Sequence, residues 1–289
     1  FVVSGTMGNL VSLMTHCNIG ETAGVDESLH VYHSEKGIFA GRPGGVIPAF
    51  YDSDEYGVPD LKSVANVIAE NSPKVLCLEN TNNYRGGTCL SKDIVDAFCN
   101  LAHDSDIRVH LDGARLFNAC LSLGAEPEKL LENVDTVMFC LSKGLSAPVG
   151  SVLCGSEDFI FRARKNKKIL GGTLRQGGVL AAAGIVALKT MTLRLAEDHR
   201  NARILADGLS HIDGITIRSF PQTNIVNVNV SSLGSDAGKI RDVLADAGLK
   251  CNAVNGEILR LVTYRGINEE DIRRAIDIFT ACIERNAYL

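Results

Sequence analysis

Lys143 lies between Ser142 and Gly144, at the end of the apolar run Met138–Phe139–Cys140–Leu141. A strand that delivers a lysine there sets it beside low-dielectric walls. Desolvation and a neighbouring cation lower its pKa and free the amine for covalent chemistry with a carbonyl. The run Val109–His110–Leu111 likewise ends on Asp112, with Arg115 shortly after it. In an open parallel sheet, ligands bind beyond the carboxyl ends of the strands, so Asp112 stands where one would be met. Near the start of the chain, Phe1 to Thr6 reads as a short strand running into a glycine turn, and Ser4–Gly5–Thr6–Met7–Gly8 leads from it into a helical pattern. Glycines at such a turn let backbone N–H groups approach a phosphate, the helix N-terminus adds its dipole, and Thr6 adds a hydroxyl. The motif is neither a Walker loop nor G-x-G-x-x-G, which argues against a nucleotide. Each motif also has a plain reading: a glycine turn, a helix-capping carboxylate, a lysine snorkelling to solvent.

Taken together, the three say more. A phosphate cradle, a strand-end carboxylate and a strand-end lysine are the contacts that pyridoxal 5'-phosphate requires. The cradle takes the phosphate, the carboxylate keeps the ring nitrogen protonated, and the lysine holds the aldehyde carbon.

Six runs carry a family likeness: Ser4 to Asn9, Leu78 to Thr81, His110 to Arg115, Val137 to Gly144, Ala147 to Ser151 and Leu170 to Gln176. In type, order and spacing they resemble the low-specificity L-threonine aldolases, fold-type I pyridoxal-phosphate enzymes of the β-eliminating lyase group. The resemblance spans nearly the whole chain. It implies retro-aldol cleavage of L-threonine or L-allo-threonine to glycine and acetaldehyde. It makes Lys143 the Schiff-base lysine and Asp112 the partner of the ring nitrogen. Gly5 and Thr6 would bind the phosphate, and Arg175 matches the family arginine that reaches a phosphate, a neighbouring subunit's included. Arg115 would lie near the ring hydroxyl and the substrate carboxylate. His30, in His30–Val31–Tyr32–His33–Ser34–Glu35, matches the histidine stacked on the ring. Arg260 matches the arginine that grips the substrate carboxylate, a task suited to a planar fork. The likeness also implies a homodimer or homotetramer.

Three departures from the family pattern stand out. The family reads Glu-Asn-Thr-His-Asn where this chain has Glu79–Asn80–Thr81–Asn82–Asn83. Asn82 hydrogen-bonds but cannot act as a base on the substrate's β-hydroxyl, so either a water, His30 or His33 takes that task or the enzyme prefers another substrate. Tyr264 stands where the family often has histidine. The family also carries a segment ahead of the Ser-Gly-Thr motif, and a missing upstream segment is expected here.

The elements that must position these residues follow from apolar periodicity. Helical patterns run over 7–17, 62–71, 91–104 and 114–123, with Ser91 as an N-cap. Strands fall at 74–78, 107–111, 136–141 and 151–154, and residues 18–60 read as strand and loop. Short apolar strands alternating with helices mean an α/β fold with a mostly parallel sheet. A long helical stretch over 177–209 then leads to a different pattern. The strictly alternating segment 224–230 suits a half-buried antiparallel strand, and helices over 236–247 and 268–285 flank a strand at 258–262. A large cofactor-binding domain, 1–193, and a small α+β domain, 194–289, are expected.

Composition narrows the classes further. A net charge of −5, no tryptophan and 6% aromatics leave neither a basic face nor stacking platforms for nucleic acid. No apolar run is long enough to span a membrane, and no charged-then-apolar leader opens the chain. Nine scattered cysteines with no C-x-x-C pair read as buried, reduced thiols of a cytoplasmic protein. The histidines show no metal-ligand clustering. His110 reads as a satisfied core histidine, and the basic run 162–168 as a solvated helix face. Two alternatives share the motifs: β-elimination or racemisation at the same site, and a non-catalytic paralogue of the fold.

Overall fold

The computed structural model describes residues 1–41, 43–285 and 288. The chain packs as two compact units, one of Phe1–Asn83 with Cys89–Leu193, the other of Tyr84–Thr88 with Arg194–Leu289.

In the first unit, α1 (Gly5–His16), β1 (Thr22–Val25), α2 (His30–His33), α3 (Lys36–Phe39), β2 (Ile47–Phe50), α4 (Leu61–Asn71) and β3 (Val75–Glu79) come first. They are followed by α5 (Lys92–His103), β4 (Arg108–Asp112), α6 (Leu116–Leu123), α7 (Pro127–Leu130), β5 (Thr136–Cys140), β6 (Ser151–Cys154), α8 (Glu157–Ile169) and α9 (Gly178–Thr190). The six strands form one sheet in the order β2-β1-β3-β4-β5-β6. Every pairing is parallel except β5 with β6.

Central strand β3 is buried along its whole length, as a parallel strand covered on both faces must be. Helix α5 buries Val95, Phe98, Cys99 and Ala102, a single face at helical spacing. Ser91 caps it by accepting from the Ile94 amide, worth about 1 kcal/mol. Helix α1 lies against β5 because residue 8 is glycine. A Cβ there would stand 2.5 Å from Met138 Cγ.

In the second unit, α10 (Leu195–Ser210), β7 (Thr216–Ile217), β8 (Ile225–Asn229), α11 (Ala237–Asp246), β9 (Asn252–Ala253), β10 (Ile258–Val262) and α12 (Glu269–Glu284) follow in order. The strands make an antiparallel sheet, β7-β8-β10-β9. Its core runs from Leu205 and Leu209 through Val226, Val228 and Leu259 to Phe279.

Four expectations change. The opening apolar run is not a strand: Val2 makes one two-bond bridge with Ser151, and helix begins at Gly5. Within 18–60 the chain adds α2 and α3, single turns too short to show a helical period. The helical stretch over 177–209 is two helices, interrupted by a 3₁₀ turn at Thr192–Arg194 where the chain passes between units. Strand β8 is buried on both faces rather than one. Its second face is covered by Tyr84–Thr88. Asn227 Nδ2 donates to the Tyr84 carbonyl at 3.2 Å, and the Thr223 hydroxyl donates to the Gly87 carbonyl at 2.8 Å. Gly87 has φ +72°, and a Cβ there would run into Thr223 Oγ1, so only glycine lets this segment lie so close. A division at residue 193 alone misses that segment.

All nine cysteines are free, six of them buried. Among the described residues no single helix is long and apolar enough to cross a membrane.

Candidate active site

The strand register sets Glu79 beside Asp112 at the carboxyl ends of β3 and β4. Both are buried, and each side chain organises a different neighbourhood. Asp112 Oδ1 accepts from the Ala114 amide at 3.0 Å, while Oδ2 accepts from Asn9 Nδ2 at 2.8 Å. With both oxygens held, the carboxylate has one orientation. Glu79 accepts from two backbone amides, His30 at 2.6 Å and Asn83 at 2.8 Å. It therefore fixes the start of α2 and the bend after β3. Burial, then the Asp112 charge, pushes the Glu79 carboxyl up to about 7.

His30 opens α2 half-buried, its Nδ1 3.1 Å from Glu35 Oε1. Carboxylates only accept, so Nδ1 carries the proton and Nε2 is the basic nitrogen of the neutral ring. Burial alone would lower the His30 pKa. The bond to Glu35 and the charges of Asp112 and Glu79 outweigh it, so the pKa lies above the usual value. His33, by contrast, is exposed. Glu35 is also pushed up by burial, against the pull of His30, and its Oε2 is buried with no hydrogen-bond partner. His30, Glu35 and Asp112 lie within 4.8 Å of one another. The donors between them, His30 Nδ1–H and the Asn9 amide, make this a hydrogen-bond network.

Arg115 precedes α6, and its Nη1 donates to Asn83 Oδ1 at 3.2 Å. Asn83 thus links the Glu79 carboxylate to the Arg115 guanidinium. Asn82, beside it, is buried. Lys143 is half-buried in the loop after β5. Burial pushes the Cys140 thiol up, while Lys143 pulls it down; Asp112 and Arg115 also act on it. The charges of Lys143, Asp112 and Arg115 all reach this one buried thiol. Gly5 begins α1, and a Cβ there would stand 3.0 Å from Cys140 Sγ. Ser4 caps the helix by accepting from the Met7 amide at 3.1 Å, and Thr6 is exposed beside it. Arg175 is exposed in the loop between α8 and α9. Arg260 lies in the second unit, paired with Asn227 across β10 and β8 and 5.8 Å from the centre of the Tyr84 ring.

Three participants carry no strong signal in sequence: Asn9, Glu35 and Glu79. Each lies inside a run noted for other residues. Only the fold shows that their polar atoms turn inward. His110 is a satisfied core histidine, with bonds at both ring nitrogens. The basic run on α8 is not wholly solvated, since Arg162 and Asn166 donate to the last carbonyls of α1, Thr15 and Met14.

The family model described as beta-eliminating lyase matches residues 1–232. The low-specificity L-threonine aldolase 1 of Arabidopsis thaliana is 38% identical over 290 residues, 96% of this chain and 80% of that one. The low specificity L-threonine aldolase of Escherichia coli K12 is 36% identical over 293 residues, 99% of this chain and 84% of that one. Among solved structures, a putative L-allo-threonine aldolase from Listeria monocytogenes superposes with a TM-score of 0.81 at 18% identity. It covers 100% of this chain and 81% of that one. At that identity the superposition speaks to the fold.

Proposed function

This chain belongs to the β-eliminating lyase family, and from that premise we propose that it is a pyridoxal-phosphate lyase that cleaves L-threonine or L-allo-threonine to glycine and acetaldehyde. The observation that carries this reading is the group at the strand ends: Asp112 held at both oxygens, with Lys143 and Arg115 close enough to act on the same thiol. The donor set fits pyridoxal phosphate. Asp112 is an acceptor for a ring N–H, Lys143 offers the amine, and Gly5, where a side chain would crowd Cys140, opens a helix N-terminus suited to phosphate. Arg175, exposed ahead of α9, is assigned the phosphate of a neighbouring subunit.

When bound, the cofactor supplies the electron sink for charge left at the substrate's α-carbon. The chain's own residues do the rest. Asp112 keeps a proton on the ring nitrogen. Arg115 of the first unit and Arg260 of the second are each assigned to the substrate carboxylate, a task suited to a guanidinium fork; Asn82 contributes a substrate contact by hydrogen bonding. His30, with its proton held on Nδ1 by Glu35, offers Nε2 to the β-hydroxyl proton, the task that Asn82 cannot perform. The raised pKa of His30 keeps that nitrogen near its working range.

A homo-oligomer is supported by exposed apolar side chains on α9. Val179, Ile185 and Val186, all on α9, are more than half exposed, with Val179 and Val186 two helical turns apart, and exposed apolar surface marks association sites. Nine free cysteines support a reducing, cytoplasmic setting, with glycine biosynthesis as the role.

The test is product analysis with L-threonine and L-allo-threonine, read beside the visible absorption of the purified holoenzyme. Acetaldehyde and glycine in equal amounts, with both product and visible band lost in Lys143→Ala, are expected. A 2-oxo acid with ammonia would make the chain a β-eliminating lyase instead, and inverted substrate would make it a racemase. No product and no cofactor uptake would make it a non-catalytic paralogue.

A further inference from the structure

Behind Asp112 runs a line of buried side chains whose donors and acceptors can be ordered from Asp112 as far as His110. Asn9 Nδ2 lies 2.8 Å from Asp112 Oδ2 and 3.2 Å from Glu35 Oε1. Both oxygens belong to carboxyl groups that serve here as acceptors, so the Asn9 amide must turn its NH2 toward them. Its Oδ1 then faces His110 Nε2 at 3.1 Å, which obliges that nitrogen to carry the ring proton. His110 Nδ1 is left as the acceptor for one hydroxyl proton, with the Ser12 and Thr136 hydroxyls each 3.0 Å away. The line ends where Thr136 Oγ1 meets His16 Nε2 at 2.9 Å. Asn9, Ser12 and His110 have no exposed surface. Burial, and then His16, lowers His110 to about 3, so its ring is neutral wherever the enzyme works.

We propose that Asn9 is a positioning residue for the reaction, its amide locked by the Nε2–H tautomer of His110 so that a single NH2 group aims the Asp112 carboxylate and ties it to the His30–Glu35 pair. Reversing the amide would set its oxygen against two carboxyl groups and leave His110 facing an NH2. Both ends of the amide therefore select the same orientation. The line is a template of fixed dipoles of the kind that costs no reorganisation during reaction. It does not touch substrate.

The inference rests on the reading of Asp112 as partner of the cofactor ring. It is tested first without cofactor. In the full chain, freed of cofactor and labelled with ¹⁵N at histidine, the His110 resonances should show protonated Nε2 and unprotonated Nδ1 at neutral pH. A protonated Nδ1 overturns the lock. In Asn9→Ala, kcat should fall about 10-fold to 100-fold with KM within about twofold, as for a displaced catalytic group. The affinity of the cofactor-free variant for pyridoxal phosphate should fall as well. His110→Phe should show the same split more weakly, and it serves in place of Asn9→Ala if that variant does not fold. Asp112→Ala is run in parallel. If it loses turnover while Asn9→Ala keeps kcat and cofactor affinity, the inference alone falls. If Asp112→Ala also keeps turnover, the reading of Asp112 falls with it.

Discussion

Buried polar side chains gather in two regions of this chain, and they are used differently. Around the ends of β3 and β4 most of them bond to one another: His30 to Glu35, Glu35 and Asp112 to Asn9, Asn9 to His110; Glu79 and one oxygen of Asp112, which accept from backbone amides, are the exceptions. Around β8 and β10 in the second unit they bond to backbone carbonyls. Asn227 reaches Tyr84, Thr223 reaches Gly87, Asn224 reaches Thr263, Thr263 reaches Asp198 and Asn201 reaches Ile267. The ion pair of Arg194 and Asp198 at the head of α10 is the local exception. Bonds between side chains fix where protons sit and which way groups point. Bonds from side chain to backbone fix where loops run. The first arrangement suits a site, the second a scaffold.

The contrast breaks most visibly if a substitution at Asp112 changes stability rather than turnover. Asp112→Ala should lower kcat by about 10²–10³-fold, the cost of removing one preorganised electrostatic partner, measured by acetaldehyde release from the holoenzyme.

A pH titration sharpens the contrast next. Glu79 rises from 4.5 to about 7 on burial, so its carboxyl favours the folded state fully below its unfolded value. That contribution is lost as pH rises through about 7. Glu79→Gln should flatten this part of the profile, seen as a smaller difference between urea midpoints at pH 5 and pH 8. An unchanged difference would remove Glu79 as its source.

In the second region, Asn201→Ala should cost about 1–3 kcal/mol of stability, because the Ile267 carbonyl loses its donor, with kcat unaltered. A fall in kcat at unchanged stability would erase the distinction between the regions. The smallest effect is expected at Asn268, whose side chain and Asp271 form a capping box at the start of α12. Asn268→Ala should cost about 1 kcal/mol, read from the same urea curves.

The alternation of strands and helices from β3 to β6 was legible because each element is long enough to show its period. The places of Asp112 at the end of β4 and of Lys143 just after β5 were legible because apolar runs lead straight into them. Asn9 and Glu35 were not, since nothing in an isolated asparagine or glutamate tells which way it points once a helix packs on a sheet. The full burial of β8 was hidden for a related reason. Its asparagines alternate as if facing water, and the segment that covers them lies more than a hundred positions earlier in the chain.

That segment, Tyr84–Thr88, bears on how such chains can be recombined. A chimaera that exchanges only residues 194–289 would bring a foreign β8 under a resident cover, with Gly87 and Thr223 drawn from different parents. Crossovers that carry residues 84–88 along with the second unit keep that close approach within one lineage. The unit inherited together is thus discontinuous in the gene, although its residues pack as neighbours in the protein.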